Sequence, residues 1–183
     1  MTTRRAWIAV AALLATHSAW AGEIVHETRE QVLARFFAGS AKVGHAKFTL
    51  DDADAAAFRE RLGYDAPRRE YIVYFAEGGG DTAGWALIDN EMGKHRPMTF
   101  AVHVGDDGAV REVALMIYRE DVGGQVREKP FVRQFAGKTS AEPIRLGADI
   151  DGISGATISS RAMCVGVKRA LWIVDRYRRR SAN

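Results

Sequence analysis

Between Tyr71 and Tyr118 the chain repeats one pattern: a short apolar or β-branched run, then glycine, aspartate or proline. Tyr71–Ala76 is dense in aromatic and β-branched residues, and Gly78-Gly79-Gly80-Asp81 supplies a turn. Gly84–Asp89 is a second strand, and Pro97 leads into a third, Met98–Val104. Gly105-Asp106-Asp107-Gly108 is the tightest hairpin signal in the chain, answered by Val110–Tyr118 as a fourth strand. Parallel neighbours need a long crossover, and these turns are too short for one. An antiparallel meander is therefore expected. Gly78–Gly80 lacks the lysine and helix that follow a phosphate loop, so it reads as a hairpin.

The residues before the meander read as an N-terminal helical region over 22–66. Thr28 and Gln31 have capping-box spacing, with Val32, Leu33, Phe36 and Phe37 as an apolar side and Gly39 as a stop. Phe48–Leu50 reads as a short strand. Asp51 or Asp54 then caps a second helix through Phe58 to Leu62, closed by Gly63. His26 and His45 lack metal-ligand spacing and read as surface histidines. Gly93-Lys94-His95-Arg96 is a compact cationic cluster and reads as a solvated loop.

After the meander, Asp151–Ser160 reads D-G-I-S-G-A-T-I-S-S and runs into a long amphipathic pattern. Met163, Val167, Ala170, Leu171, Val174 and Tyr177 recur three and four apart, as one buried helical stripe does. Arg161, Lys168, Arg169, Asp175 and Arg176 fall mostly between them, and Arg176–Arg180 reads as a solvated helix end. Thr157 or Ser159 lies near the N-cap, where backbone N–H groups lack intrahelical partners. A hydroxyl-rich turn at such a terminus suits a phosphate. Gly155 and Ala156 remove bulk just before Thr157, and four hydroxyls (Ser154, Thr157, Ser159, Ser160) exceed what one cap uses.

This segment resembles the flavinylation motif of the FMN-binding domain family. That family includes flavin-carrying components of the sodium-pumping NADH:quinone reductase and of the Rnf complex, and the flavin domain of nitrous oxide reduction regulators. The resemblance implies FMN held covalently on Thr157 by a phosphoester bond made by a flavin transferase. Asp151, Gly152, Ser154, Gly155, Ala156 and Ser160 form the rest of the motif, with Asp151 shaping the turn and Ser160 helping to hold the phosphate. Glu120, Gly123 and Gly124 resemble the family's loop beside the isoalloxazine ring, without the Thr-Pro-Gly form of the respiratory-complex members. Phe131–Phe135 with Gly137-Lys138 resembles the segment linking that loop to the motif, and Phe131 and Phe135 at i, i+4 are expected in the core.

Composition narrows the setting. Arg4 and Arg5 precede an apolar run from Ala6 to Ala15, and Ala19-Trp20-Ala21 completes a cleavable export signal over 1–21. Its removal takes away both arginines and lowers the formal charge from +3 to +1. No broad basic stripe is left for nucleic acid. The single cysteine, Cys164, rules out an internal disulfide, a paired-cysteine redox motif and a c-type haem site; it reads as a core thiol. No metal site is expected. A hydrolase using Ser154 fails, because the glycine two places after a nucleophile-elbow serine is missing and no histidine follows His103.

The expectation is an α+β fold, an antiparallel β-meander packed with helices, forming a single FMN-binding domain over 67–183 after the signal. The function expected is extracytoplasmic electron transfer, as a carrier more than a stand-alone enzyme. Partners would be the transferase, then a redox protein or quinone, in an inner-membrane electron-transfer complex. The alternative is a flavin-free or non-covalent FMN-binding periplasmic module.

Overall fold

The computed structural model describes residues 23–40, 42–77 and 84–181. A six-stranded antiparallel sheet organises them, in the order β1-β6-β5-β4-β3-β2. The strands are β1 (Ile24–Val25), β2 (Lys42–Thr49), β3 (Glu70–Glu77), β4 (Trp85–Met92), β5 (Pro97–Val104) and β6 (Val110–Tyr118). From β2 to β6 each strand pairs with the next in sequence, which is the meander expected. Between β5 and β6, Gly105 accepts from Gly108 N–H in the predicted hairpin turn. The Gly78–Asp81 turn and the export signal over 1–21 lie outside the described residues.

Alternation sorts each strand onto two faces. Along β5, Phe100, Val102 and Val104 enter the larger core, while Ala101 enters the smaller one. Helix α1 (Arg29–Phe36) covers the smaller face with Val32, Leu33 and Phe36, over the short side chains of Ala86, Ala101 and Ala114. Its Thr28–Gln31 capping box is formed in both directions. The larger face lies under α2 (Asp52–Leu62), a 25-residue helix α4 (Thr157–Ser181), and a coiled segment around α3 (Lys129–Val132). Phe131 and Phe135 are buried there edge to face, with ring centroids 5.5 Å apart. Asp51 is the N-cap of α2 and Gly63 its left-handed stop.

Four expectations change. The region 22–66 is helical only in part, because it also supplies β1 and β2. β2 spans Lys42–Thr49 rather than Phe48–Leu50; it is an edge strand whose sequence, K-V-G-H-A-K-F-T, buries only Phe48. Arg169 is not on a solvated face of α4. It is 2% exposed, with Nε donating to Asp89 at 2.7 Å and Nη2 to the carbonyl of Asn90 at 2.7 Å, while Nη1 pairs with Glu91. The arginine-rich end of α4 is likewise only partly free, since Arg176 and Arg180 both pair with the buried carboxylate of Asp54 in α2. Among the described residues no helix is long and apolar enough to cross a membrane.

His103 of β5 is 5% exposed between two rings, stacked on Phe36 at 5.1 Å and edge-on to Phe37 at 5.2 Å. Burial, and then the charge of Arg111, lower its pKa from 6.5 to about 4. The unfolded chain takes up this proton near pH 6.5 and the native state only near pH 4, so stability falls as pH drops through that window. Between pH 7 and pH 5 the loss attributable to this group is about 2 kcal/mol. Urea unfolding of wild type and His103→Leu at both pH values tests this, and equal losses in the two proteins would refute it.

Candidate functional site

The expected motif lies where the coil after α3 turns into α4. Its approach is built from local bonds. The Asp149 carboxylate accepts from Ile144 N–H (3.1 Å), Arg145 N–H (2.7 Å) and Lys138 Nζ (3.0 Å), and Gly147 N–H donates to Ile150 (2.9 Å). Ile153 accepts from Ala156 N–H at 2.9 Å, closing a turn whose third residue is Gly155 at φ +79°. That backbone conformation, not crowding, calls for glycine, since a Cβ there would meet no atom within 4 Å. Ala156 accepts from Ser160 N–H at 2.8 Å and so opens the helix.

Thr157 is thus the first residue of α4, and its side chain is exposed. No described residue accepts from the N–H groups of Thr157, Ile158 or Ser159. The four hydroxyls do not act alike. Ser154 and Thr157 face solvent, whereas Ser159 and Ser160 are buried. Ser160 Oγ accepts from Ile153 N–H (3.4 Å), so it braces the turn instead of facing a ligand as expected. Ala156 is buried in the core and opens no approach to Thr157. Asp151 is exposed and engages through its peptide group; its carboxylate takes no hydrogen bond from a described residue.

The Glu120–Gly124 loop reaches the same helix start at one point. Tyr118, at the end of β6, meets Ser159 Oγ at 2.8 Å and donates to the carbonyl of Val122. Gly123, at φ +96°, fits over this pair: a Cβ there would lie 2.6 Å from Tyr118 Oη and 2.7 Å from Ser159 Oγ. Exposed apolar side chains flank the contact, Val122 at 75% and Ile158 at 49%. Glu120 points elsewhere. Its carboxylate accepts from the N–H groups of His95 and Arg96, the latter at 2.9 Å, in the β4–β5 turn. Burial alone would raise its pKa, but these N–H groups outweigh it and hold the carboxyl below its ordinary value. The cationic cluster Gly93–Arg96 therefore braces the loop through its backbone.

Beside the motif runs an open groove of about 480 Å³, lined by Gln125, Glu128, Phe131, Gln134 and Asp151–Ile153. Its size and mixed lining suit a small aromatic ligand. Sequence reasoning missed Tyr118 and Gln134, and neither has a local signal. Cys164 is buried, and burial pushes its thiol up to about 11, so it offers no thiolate near neutral pH.

Residues 93–172, from the β4–β5 turn into α4, match the protein family described as FMN-binding domain. Among solved structures, the chain is similar to Shewanella oneidensis NqrC. The TM-score is 0.47 at 17% identity, over 75% of this chain and 85% of that one. No curated protein matches the chain.

The Gly123 geometry predicts an asymmetry between adjacent glycines. Gly123→Ala is strained in backbone and clashes with both hydroxyls, and should cost about 2 kcal/mol or more. Gly124→Ala brings a Cβ only to 3.5 Å from the Tyr118 ring, an ordinary contact, and should cost less than about 1 kcal/mol. Denaturant unfolding of the two variants decides it; equal losses would show that the Tyr118–Ser159 contact does not constrain the loop.

Proposed function

We propose that this protein, whose residues 93–172 match the FMN-binding domain family, is an extracytoplasmic electron-transfer flavoprotein carrying FMN on Thr157 through a phosphoester bond. The observation that carries the reading is the exposed Thr157 hydroxyl on the first residue of α4, beside N–H groups that no described residue uses. A phosphodiester on Thr157 would meet those donors and the positive end of the helix dipole. Apolar surface for the ring would come from exposed Val122 and Ile158 or from the groove beside Asp151–Ile153.

Attachment needs an activated flavin phosphate and a base. With a flavin dinucleotide as donor, Thr157 Oγ attacks the flavin-side phosphorus, the pyrophosphate bond breaks, AMP leaves and the hydroxyl proton is released. Thr157 Oγ has no hydrogen bond to any described residue, and in this reading the transferase would supply the base. Once bound, FMN supplies one- and two-electron redox chemistry, while the protein supplies attachment, orientation and electrostatics. The chain's own thiol is too buried and too weakly acidic to share that work.

The export signal over 1–21 supports an extracytoplasmic site, where covalent retention prevents loss of a flavin that is not readily replaced. The FMN-binding unit would span 67–183, with 22–66 completing its sheet. Electrons would pass to and from a redox partner protein or quinone, within an inner-membrane complex.

Intact mass and peptide mapping of wild type and Thr157→Ala, exported from cells containing a flavin transferase, test the reading. The expected result is one FMN less one water on the Thr157 peptide, absent from the variant. Unmodified wild type beside a modified control target would overturn covalent attachment. A yellow protein would then indicate non-covalent FMN binding, and a colourless one a flavin-free module.

A further inference from the structure

We infer that Gln134 is a positioning residue for flavin attachment: its side-chain amide clamps the Asp151 peptide and presents the motif to the transferase. The inference rests on Thr157 being the flavin carrier and concerns what sets its approach strand. Gln134 Oε1 accepts from Asp151 N–H at 2.7 Å, and Gln134 Nε2 donates to the Asp151 carbonyl at 3.3 Å. One side chain thus satisfies both polar groups of a residue 17 positions away, as a neighbouring β-strand would.

The position of this clamp gives it weight. Upstream, the chain is held as far as Ile150 by the Asp149 carboxylate and the Gly147–Ile150 bond. Downstream, Ile153 is held by Ala156 and Ser160. Between them, Asp151 and Gly152 have no other hydrogen bond to a described residue. Both are exposed and lead into the turn that carries Thr157.

The base of the clamp is firm. Gln134 lies in a 3-10 turn between Arg133 and Phe135, and Phe135 is fully buried. Just beyond, Gly137 N–H donates to Val110, and Val110 N–H to Lys138, each at 2.8 Å, which pins this segment to the first residue of β6. The sheet therefore fixes Gln134, and Gln134 fixes Asp151. The clamp uses only the peptide group and leaves the exposed Asp151 carboxylate without a partner among the described residues, available to be read from outside.

The test uses the mature protein as target for a purified transferase with FAD, following FMN incorporation by mass, for wild type, Gln134→Glu and Gln134→Met. Methionine keeps the volume and removes both bonds. Glutamate keeps the acceptor and loses the donor. Losing both bonds should raise KM for the target about tenfold with kcat little changed, and the glutamate variant should fall between. Amide hydrogen exchange at Asp151, which a general loss of stability would not single out, should rise selectively in Gln134→Met. Thermal melts establish that each variant is folded. If Gln134→Met does not fold, the KM of the glutamate variant carries the test.

Equal KM values, a fall in kcat alone, or unchanged Asp151 exchange would overturn the clamp while leaving Thr157 as carrier. Wild type that takes up no FMN would overturn the carrier assignment, and the positioning role with it.

Discussion

The placement of everything functional depends on a buried ion cluster that fixes α4 against the sheet. Arg169 gives up water almost completely, and Asp89, Glu91 and the Asn90 carbonyl replace it. Such a cluster adds little net stability over an apolar contact of the same shape. Removing only one partner costs about 3–5 kcal/mol, because a charge is stranded. The consequence is register. An amphipathic helix can slide or rotate on an apolar sheet at modest cost, but a guanidinium with three fixed acceptors cannot. Thr157 lies twelve residues earlier on the same rigid helix, about 18 Å along its axis. Fixing Arg169 on β4 therefore fixes where the exposed hydroxyl stands. Asp54, holding Arg176 and Arg180, secures the other end of α4 to α2.

Around the helix start the loops are held by single polar contacts, each reaching back to a different part of the sheet. Tyr118 ties Ser159 to the end of β6. Glu120 ties its loop to the β4–β5 turn, and Gln134 ties Asp151 to the segment pinned on Val110. The contacts stand on a packed base, since Tyr118, Phe131, Phe135 and Ile150 are buried in the larger core beneath these loops. A site that would admit a transferase and then expose a redox group to partners, as proposed, calls for polar surface contacts on such a base. Its scaffold is rigid, and its surface bonds can be exchanged one at a time.

How much of this is legible in the sequence follows from whether a signal is local. The capping box at Thr28, the aspartate cap of α2 at Asp51 or Asp54, the Gly105–Gly108 hairpin and the stripe of α4 are set by residues within a few positions of one another. Each is present in the structure. β2 is nearly invisible in the sequence, because an edge strand exposed on one side does not need a full apolar alternation. Arg169 is misplaced by its pattern because its acids lie about 80 positions away, and a helical stripe cannot reveal a partner on another element. The serines mislead differently. Their number suggests a ligand, but Ser159 and Ser160 use their hydroxyls on Tyr118 and on Ile153 N–H.

What remains exposed after this sorting is narrower than the motif. Of its polar side chains, only the hydroxyls of Ser154 and Thr157 and the Asp151 carboxylate lack partners among the described residues, and the first N–H groups of α4 lack them too. The Thr157 hydroxyl stands at the helix start, beside the N–H groups of the first turn of α4 that no described residue uses, and Ser154 sits three residues back. A phosphoester on Thr157 would meet those N–H groups, whereas one on Ser154 would have to reach past Gly155. Threonine at the first helical position thus answers both needs of the chemistry: an accessible oxygen, and a preformed electrostatic seat for the phosphate it would carry.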